Sequence, residues 1–187
     1  MIESHHTDLP GVLIIQPDRF GDHRGFFAET YSQRVYAELG INENFVQDNH
    51  SLSAETGTVR GLHFQGPPRA QAKLVRCGRG AIFDVAVDIR KGSETYGKWV
   101  GYELSAENGA QLFIPAGFAH GFATLQPDSE IIYKCSDYYA PETEVALRWN
   151  DPAIGIKWPV QGAAILSDKD SVAPVLADLE SPFFWEG

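Results

Sequence analysis

The sequence predicts an all-β chain, a double-stranded β-helix of jelly-roll type carrying a few short helices, and three observations lead there. Residues 82–89 alternate so that Phe83, Val85, Val87 and Ile89 share one face while Asp84, Ala86 and Asp88 share the other, the period-2 pattern of a half-buried strand. Similar short apolar runs recur along the whole chain, most of them bounded by glycine or proline. Helical periodicity is confined to residues 32–39 and to a turn or two after Asp168. Many short strands with few helices satisfy their apolar faces by closing a barrel or stacking two sheets.

In chain order, strands are expected at residues 12–16, 26–31, 45–53, 74–77, 82–89, 99–104, 111–114, 121–125 and 131–136. The helix at 32–39 is closed by Gly40, a residue suited to the left-handed conformation that ends a helix. No low-complexity linker, internal repeat or compositional break divides the chain, so residues 1–187 read as one domain. That length buries about 70% of the surface an unfolded chain exposes. In a barrel of this kind alternate side chains point into the mouth, which makes inward polar residues the candidates for a site.

The formal net charge of -10 argues against a nonspecific grip on nucleic acid. Any phosphate-bearing ligand then needs cations gathered locally, and Arg24, Arg60, Arg69, Lys73 and Arg76 lie in the first half of the chain; alone, they read as an ordinary solvated face. Cys77 and Cys135 stand far apart in apolar surroundings and read as buried free thiols. The first residues lack a basic flank and an apolar run of signal-peptide length, and no later stretch suits a bilayer-spanning helix. A soluble cytoplasmic protein without a membrane partner is expected.

Gly57 and His63 are separated by five residues, as are Gly109 and Pro115, the latter opening Pro115-Ala116-Gly117-Phe118-Ala119-His120. These spacings resemble the two cupin motifs. Metal-binding cupins place a second histidine where this chain has Gln65, then a glutamate, and none occurs between Gly66 and Gly80. His63 and His120 alone fall short of the three protein ligands that such metals ordinarily need, so no metal is expected. A lone histidine is otherwise most simply a packed or surface residue.

Several ordered blocks change that reading. They are residues 20–29 (Phe20-Gly21-Asp22-His23-Arg24 onward), 45–51, 60–65, 71–76, 83–90, 114–122, 133–139, 148–152 and 166–170 (Leu166-Ser167-Asp168-Lys169-Asp170). Through them the chain resembles the dTDP-4-dehydrorhamnose 3,5-epimerase family over nearly its whole length. His23 and the pair Val145-Ala146 depart from the usual pattern but touch no residue given a chemical role.

The resemblance implies epimerisation of C3 and C5 of dTDP-4-dehydro-6-deoxy-D-glucose to dTDP-4-dehydro-L-rhamnose, without a cofactor. It makes His63 the general base, Asp170 its orienting partner, Tyr133 the general acid and Lys73 the stabiliser of an enolate. It assigns Arg24, Glu29, Gln47, Asn49, Arg60, His120, Glu144 and Lys169 to nucleotide and sugar, with Tyr139 stacking on thymine. It implies a homodimer as well. Read without it, Asp170 is a helix-cap or loop aspartate, Tyr133 a core strand aromatic, and Arg24 with Glu29 an exposed strand pair. The competing functions are a mono-epimerase of a related dTDP-4-keto-deoxysugar, a non-catalytic sugar-nucleotide-binding cupin, and a metal-dependent cupin oxygenase.

Overall fold

The computed structural model describes residues 2–185. In chain order its strands are β1 (Glu3–His6), β2 (Leu13–Gln16), β3 (Phe20–Asp22), β4 (Gly25–Phe27), β5 (Gln47–Ser53), β6 (Val59–Gln65), β7 (Lys73–Arg79), β8 (Ala81–Asp88), β9 (Trp99–Ser105), β10 (Gln111–Ile114), β11 (Phe118–Thr124), β12 (Ser129–Cys135) and β13 (Glu144–Ala146). Two short helices accompany them, α1 (Gln33–Glu38) and α2 (Asp168–Ser171). One sheet runs β1-β2-β10-β7-β12-β5, a second runs β13-β6-β11-β8-β9, and β3 with β4 forms a separate hairpin. Neighbouring strands are antiparallel throughout. This is the expected jelly roll.

Three apolar clusters hold the layers. Between the sheets lie Val75, Ile82, Leu104, Leu112, Phe122 and Ile131, among others. Outside the second sheet, Leu62, Phe64, Val85 and Val87 are covered by Ile154, Leu176 and Phe183 of the C-terminal third. Outside the first sheet, Leu13, Ile15 and Phe113 pack under Tyr36 of α1. Gly40 ends that helix region at a φ of 85°, the conformation expected of it. Cys77 and Cys135 are buried free thiols.

The structure departs from the sequence reading in several places: β1, β3 and β13 were not expected, and three further differences have an evident cause. Strand β8 is buried on both faces rather than one, because the C-terminal segment covers its apolar Val85–Val87 face while the face that the alternation left open is turned into the core between the sheets; Asp84 and Asp88 are both fully buried. Asp88 is held in its ionised form well enough for the purpose: burial works to raise its carboxyl pKa, but hydrogen bonds from Arg90, Thr95 and Ser93 outweigh that and lower it. The expected strand at 26–31 stops at Phe27, and Tyr31 instead packs its ring 5.1 Å from Tyr36 and 5.4 Å from Phe45. Strand β6 escaped notice because its inward positions, His63 and Gln65, are polar and erase the apolar alternation.

Strands β6 and β11 approach closely where their register shifts. A Cβ on Gly121 would lie 2.7 Å from the Arg60 carbonyl oxygen, and one on Gly61 would lie 2.7 Å from the Gly121 Cα. No side chain fits at either position without moving backbone. Gly121→Ala is therefore expected to destabilise the protein by roughly 2 kcal/mol or more, read as a lower urea midpoint at unchanged slope. An unaltered midpoint would show that the two strands can part at no cost.

Candidate active site

The second sheet supplies His63 and the first supplies Lys73 and Tyr133, so these side chains approach one space from opposite walls. That space is a cavity of about 450 Å³, which Arg60, His120 and Asp170 also line. A smaller cavity of about 90 Å³ adjoins it, lined in part by Gln47, Asn49, Tyr139 and Glu144 and sharing His63, Lys73 and Tyr133. Strand β5 explains the polar wall between them: its inward positions are Gln47, Asn49 and Ser51, while Asp48, His50 and Leu52 are the exposed ones.

Asp170 reaches His63 across 107 residues of sequence, with Oδ1 2.6 Å from the imidazole Nε2. The segment before it is fastened to the start of β6 by a parallel bridge between Thr58 and Ile165, with the Val59 N–H donating to the Ile165 carbonyl at 2.9 Å. Ser167 caps α2 by accepting from the Asp170 N–H at 3.1 Å. The cap is therefore Ser167 and not Asp170, which is the third residue of the helix and turns its carboxylate to His63. Helix α2 begins at the cavity mouth, where Ser167 already occupies its third N–H.

Burial sets the protonation of the three central groups. It lowers the His63 pKa below the ordinary histidine value, with Asp170 pulling the other way and Lys73 reinforcing the fall. The same desolvation lowers Lys73, whose ammonium forms no ion pair or hydrogen bond with the described residues, and raises the Tyr133 phenol. The result is an imidazole and an amine of reduced basicity and a phenol of reduced acidity around one cavity.

The remaining candidates divide. Arg60 lines the cavity, its guanidinium steadied by the Ser53 hydroxyl at 3.1 Å and the Leu52 carbonyl at 3.2 Å. His120 is buried at the cavity edge, 2.7 Å from Asp84. The Tyr139 hydroxyl donates to Glu144 at 3.1 Å, and Lys169 donates to the same carboxylate oxygen, joining the loop after β12 to α2. Burial works to raise the Glu144 pKa, but Lys169 outweighs it and holds the carboxyl below its usual range. Gln47 links to this group, accepting from the Tyr139 N–H at 2.9 Å and donating to Asn49 at 3.1 Å.

Arg24 and Glu29 do not reach the cavity in this chain. Arg24 sits in the turn between β3 and β4, exposed and paired with Asp22, because the β3–β4 hairpin is separate from both sheets. Glu29 is exposed on the stretch leading to α1. Neither lies within a strand, so the strand-pair reading does not hold for them.

Two residues of the site were not singled out from sequence. Gln65, at the position of a cupin metal ligand, instead donates to the Arg69 and Tyr138 carbonyls and accepts from the Ala140 N–H, pinning the loop that carries Tyr139. Asp84 backs His120; its signal was a carboxylate placed in the most apolar strand of the chain. Among the described residues no group of three His, Cys, Asp or Glu side chains is arranged to hold a metal.

Residues 6–178 match the family described as dTDP-4-dehydrorhamnose 3,5-epimerase. The dTDP-4-dehydrorhamnose 3,5-epimerase of Sinorhizobium fredii is 56% identical over 172 residues, covering 92% of this chain and 88% of that one. The crystal structure of the Legionella pneumophila dTDP-6-deoxy-D-glucose-3,5-epimerase, in complex with dTDP-4-keto-L-rhamnose, superposes with a TM-score of 0.93 at 46% identity, covering 96% of this chain and 95% of that one. A 3'-monoepimerase from Streptomyces bikiniensis, in complex with dTDP-quinovose, is also similar, with a TM-score of 0.87 at 35% identity and coverage of 92% and 87%.

Proposed function

The chain belongs to the dTDP-4-dehydrorhamnose 3,5-epimerase family and is an isomerase of that kind, and we propose that His63, Asp170, Lys73 and Tyr133 carry its reaction. The reaction epimerises C3 and C5 of dTDP-4-dehydro-6-deoxy-D-glucose, giving dTDP-4-dehydro-L-rhamnose. Both carbons flank the C4 ketone, so removing a proton from either one delocalises charge onto the C4 oxygen as an enolate. The observation that carries the assignment is the 2.6 Å His63–Asp170 pair opening on the same cavity as Lys73 and Tyr133.

His63, neutral at working pH, takes the proton from the ring carbon, and Asp170 stabilises the imidazolium that forms. Lys73 offers a cation to the C4 oxygen as charge develops there. Tyr133 approaches from the opposite sheet and returns a proton to the other face of the ring, which inverts the centre. Arg60 grips the diphosphate through paired guanidinium donors, and Tyr139 stacks on thymine. Gln47, Asn49, His120, Glu144 and Lys169 complete the hold on nucleotide and sugar.

Arg24 and Glu29 join the site in a homodimer, in which the β3–β4 hairpin of a second copy reaches over the cavity. Phe20, Phe26 and Phe27 are each more than 60% exposed on that hairpin, an apolar surface that a partner would cover. The whole chain acts as one epimerase unit in the cytoplasm; among the described residues no helix is long and apolar enough to cross a membrane. Inversion of a single centre is the second reading, favoured by the likeness to the Streptomyces bikiniensis 3'-monoepimerase.

In heavy water, proton NMR of the sugar is expected to show exchange at both C3 and C5; exchange at one carbon alone selects the second reading. His63→Ala should abolish both exchanges, and undiminished exchange removes His63 from its role. Tyr133→Phe should retain part of the exchange while net inversion slows, since a proton can still leave and return on one face; equal losses of the two would deny Tyr133 a separate function. Turnover should fall on the acid side only below the ordinary histidine pKa, where the buried His63 takes up a proton, and on the basic side as Lys73, whose pKa is lowered, loses one. A basic limb unmoved by Lys73→Arg would contradict that assignment. Sedimentation should give a dimer that Phe26→Asp weakens, and a monomeric wild type would leave Arg24 and Glu29 outside the site.

A further inference from the structure

Asp84 lies midway along β8 with its carboxylate fully buried, on the face that carries Ile82 and Ala86 into the core between the sheets. A charge in such a place is strongly destabilising unless it is paired. Packing alone gives no reason for it. Its Oδ1 is 2.7 Å from His120 Nε2, but its Oδ2 is buried with no hydrogen-bond partner among the described residues. Buried polar atoms left in that state are rare and call for an explanation.

His120 pairs directly with His63 in the register of β11 and β6, so two imidazoles stand side by side at the cavity. Each has its own carboxylate behind it, Asp170 for His63 and Asp84 for His120. Lys73 enters from the opposite sheet without an ion pair to the described residues. Facing it are Cys135 from β12, Asp84 from β8, Glu144 from β13 and His63 from β6. Burial keeps the Cys135 thiol protonated by raising its pKa, and the Glu144 carboxylate is already engaged by Lys169. Asp84 is left as the negative charge nearest to uncommitted.

We propose that Asp84 is a positioning residue of the epimerase site, whose Oδ1 accepts from His120 Nε2–H and whose Oδ2 is the buried counter-charge for Lys73. The first contact leaves His120 Nδ1 as the nitrogen that meets the sugar nucleotide. The second sustains Lys73 as an ammonium against a desolvation that works to neutralise it, without quenching it in a salt bridge. The role of Lys73 here rests on the function proposed above.

Asp84→Asn keeps the shape and one acceptor while removing the charge. It is expected to lower kcat about tenfold or more, with KM within about twofold, and to move the basic limb of the kcat profile to lower pH, because Lys73 then deprotonates earlier. A folded Asn variant with native kcat and an unmoved limb overturns the proposal, as does one whose only change is a lower thermal midpoint. Should the variant not fold, nitrogen NMR of the wild-type imidazoles decides: a proton on His120 Nε2 supports the proposal, and an unprotonated Nε2 overturns it. That measurement uses no substrate, so a wild type inert towards the 4-keto sugar would sink the reaction and leave the Asp84 result standing.

Discussion

The contact between His63 and Asp170 is the interaction on which the site depends, because it ties a strand in the first half of the chain to a helix in the C-terminal stretch that follows the last strand. Nothing local brings those residues together. The Thr58–Ile165 bridge sets the register, Ser167 fixes the start of α2, and the Gly61 N–H reaches the second Asp170 oxygen at 3.4 Å. Each of these holds the carboxylate rather than the histidine. The imidazole is carried by a strand whose outward neighbours, Leu62 and Phe64, are locked in the outer core. A base that must keep one orientation through two proton transfers is better served by that arrangement than by a loop.

Placing the site between two sheets has an electrostatic consequence. Desolvation acts on all three central groups in the direction that disfavours charge, lowering His63 and Lys73 and raising Tyr133. For the proposed base and acid this is an advantage, since a neutral imidazole can accept a proton and a neutral phenol can give one. For Lys73 it is a difficulty, because its proposed task needs a cation. The cavity therefore requires negative charge close to Lys73 but not touching it, and the carboxylates around it are buried or engaged with other partners. A chain of net charge -10 need not be acidic at its site.

Much of this was legible in the sequence, and what was missed has a common cause. Strands with apolar alternation, such as β8 and β10, were found close to their true limits, and Gly40 ended the helix where its conformational freedom suggested. Strand β6 was hidden because catalytic-type residues occupy its inward positions, and the burial of β8 on both faces was hidden because its cover arrives from residues far away in sequence. The same holds for the site. Block resemblance marked out His63, Lys73, Tyr133 and Asp170, which share the cavity, yet could not say that Arg24 and Glu29 would lie outside it in one chain. Pairings across the fold, such as Asp84 with His120, have no local pattern at all.

Gln65 shows how one substitution at a cupin position reshapes what the barrel can hold. A histidine there would present a ring nitrogen to the interior beside His63. The glutamine instead spends its amide on three backbone groups, the carbonyls of Arg69 and Tyr138 and the N–H of Ala140. Those bonds fix the loop that carries Tyr139, and through the Tyr139–Glu144–Lys169 chain that loop is tied to the helix bearing Asp170. The position that would build a metal centre elsewhere here connects the proposed nucleotide grip to the proposed base. Restoring a histidine at Gln65 would thus remove three hydrogen bonds from the loop before it could contribute a ligand, so a change of chemistry at this barrel needs the loop rebuilt as well as the residue replaced.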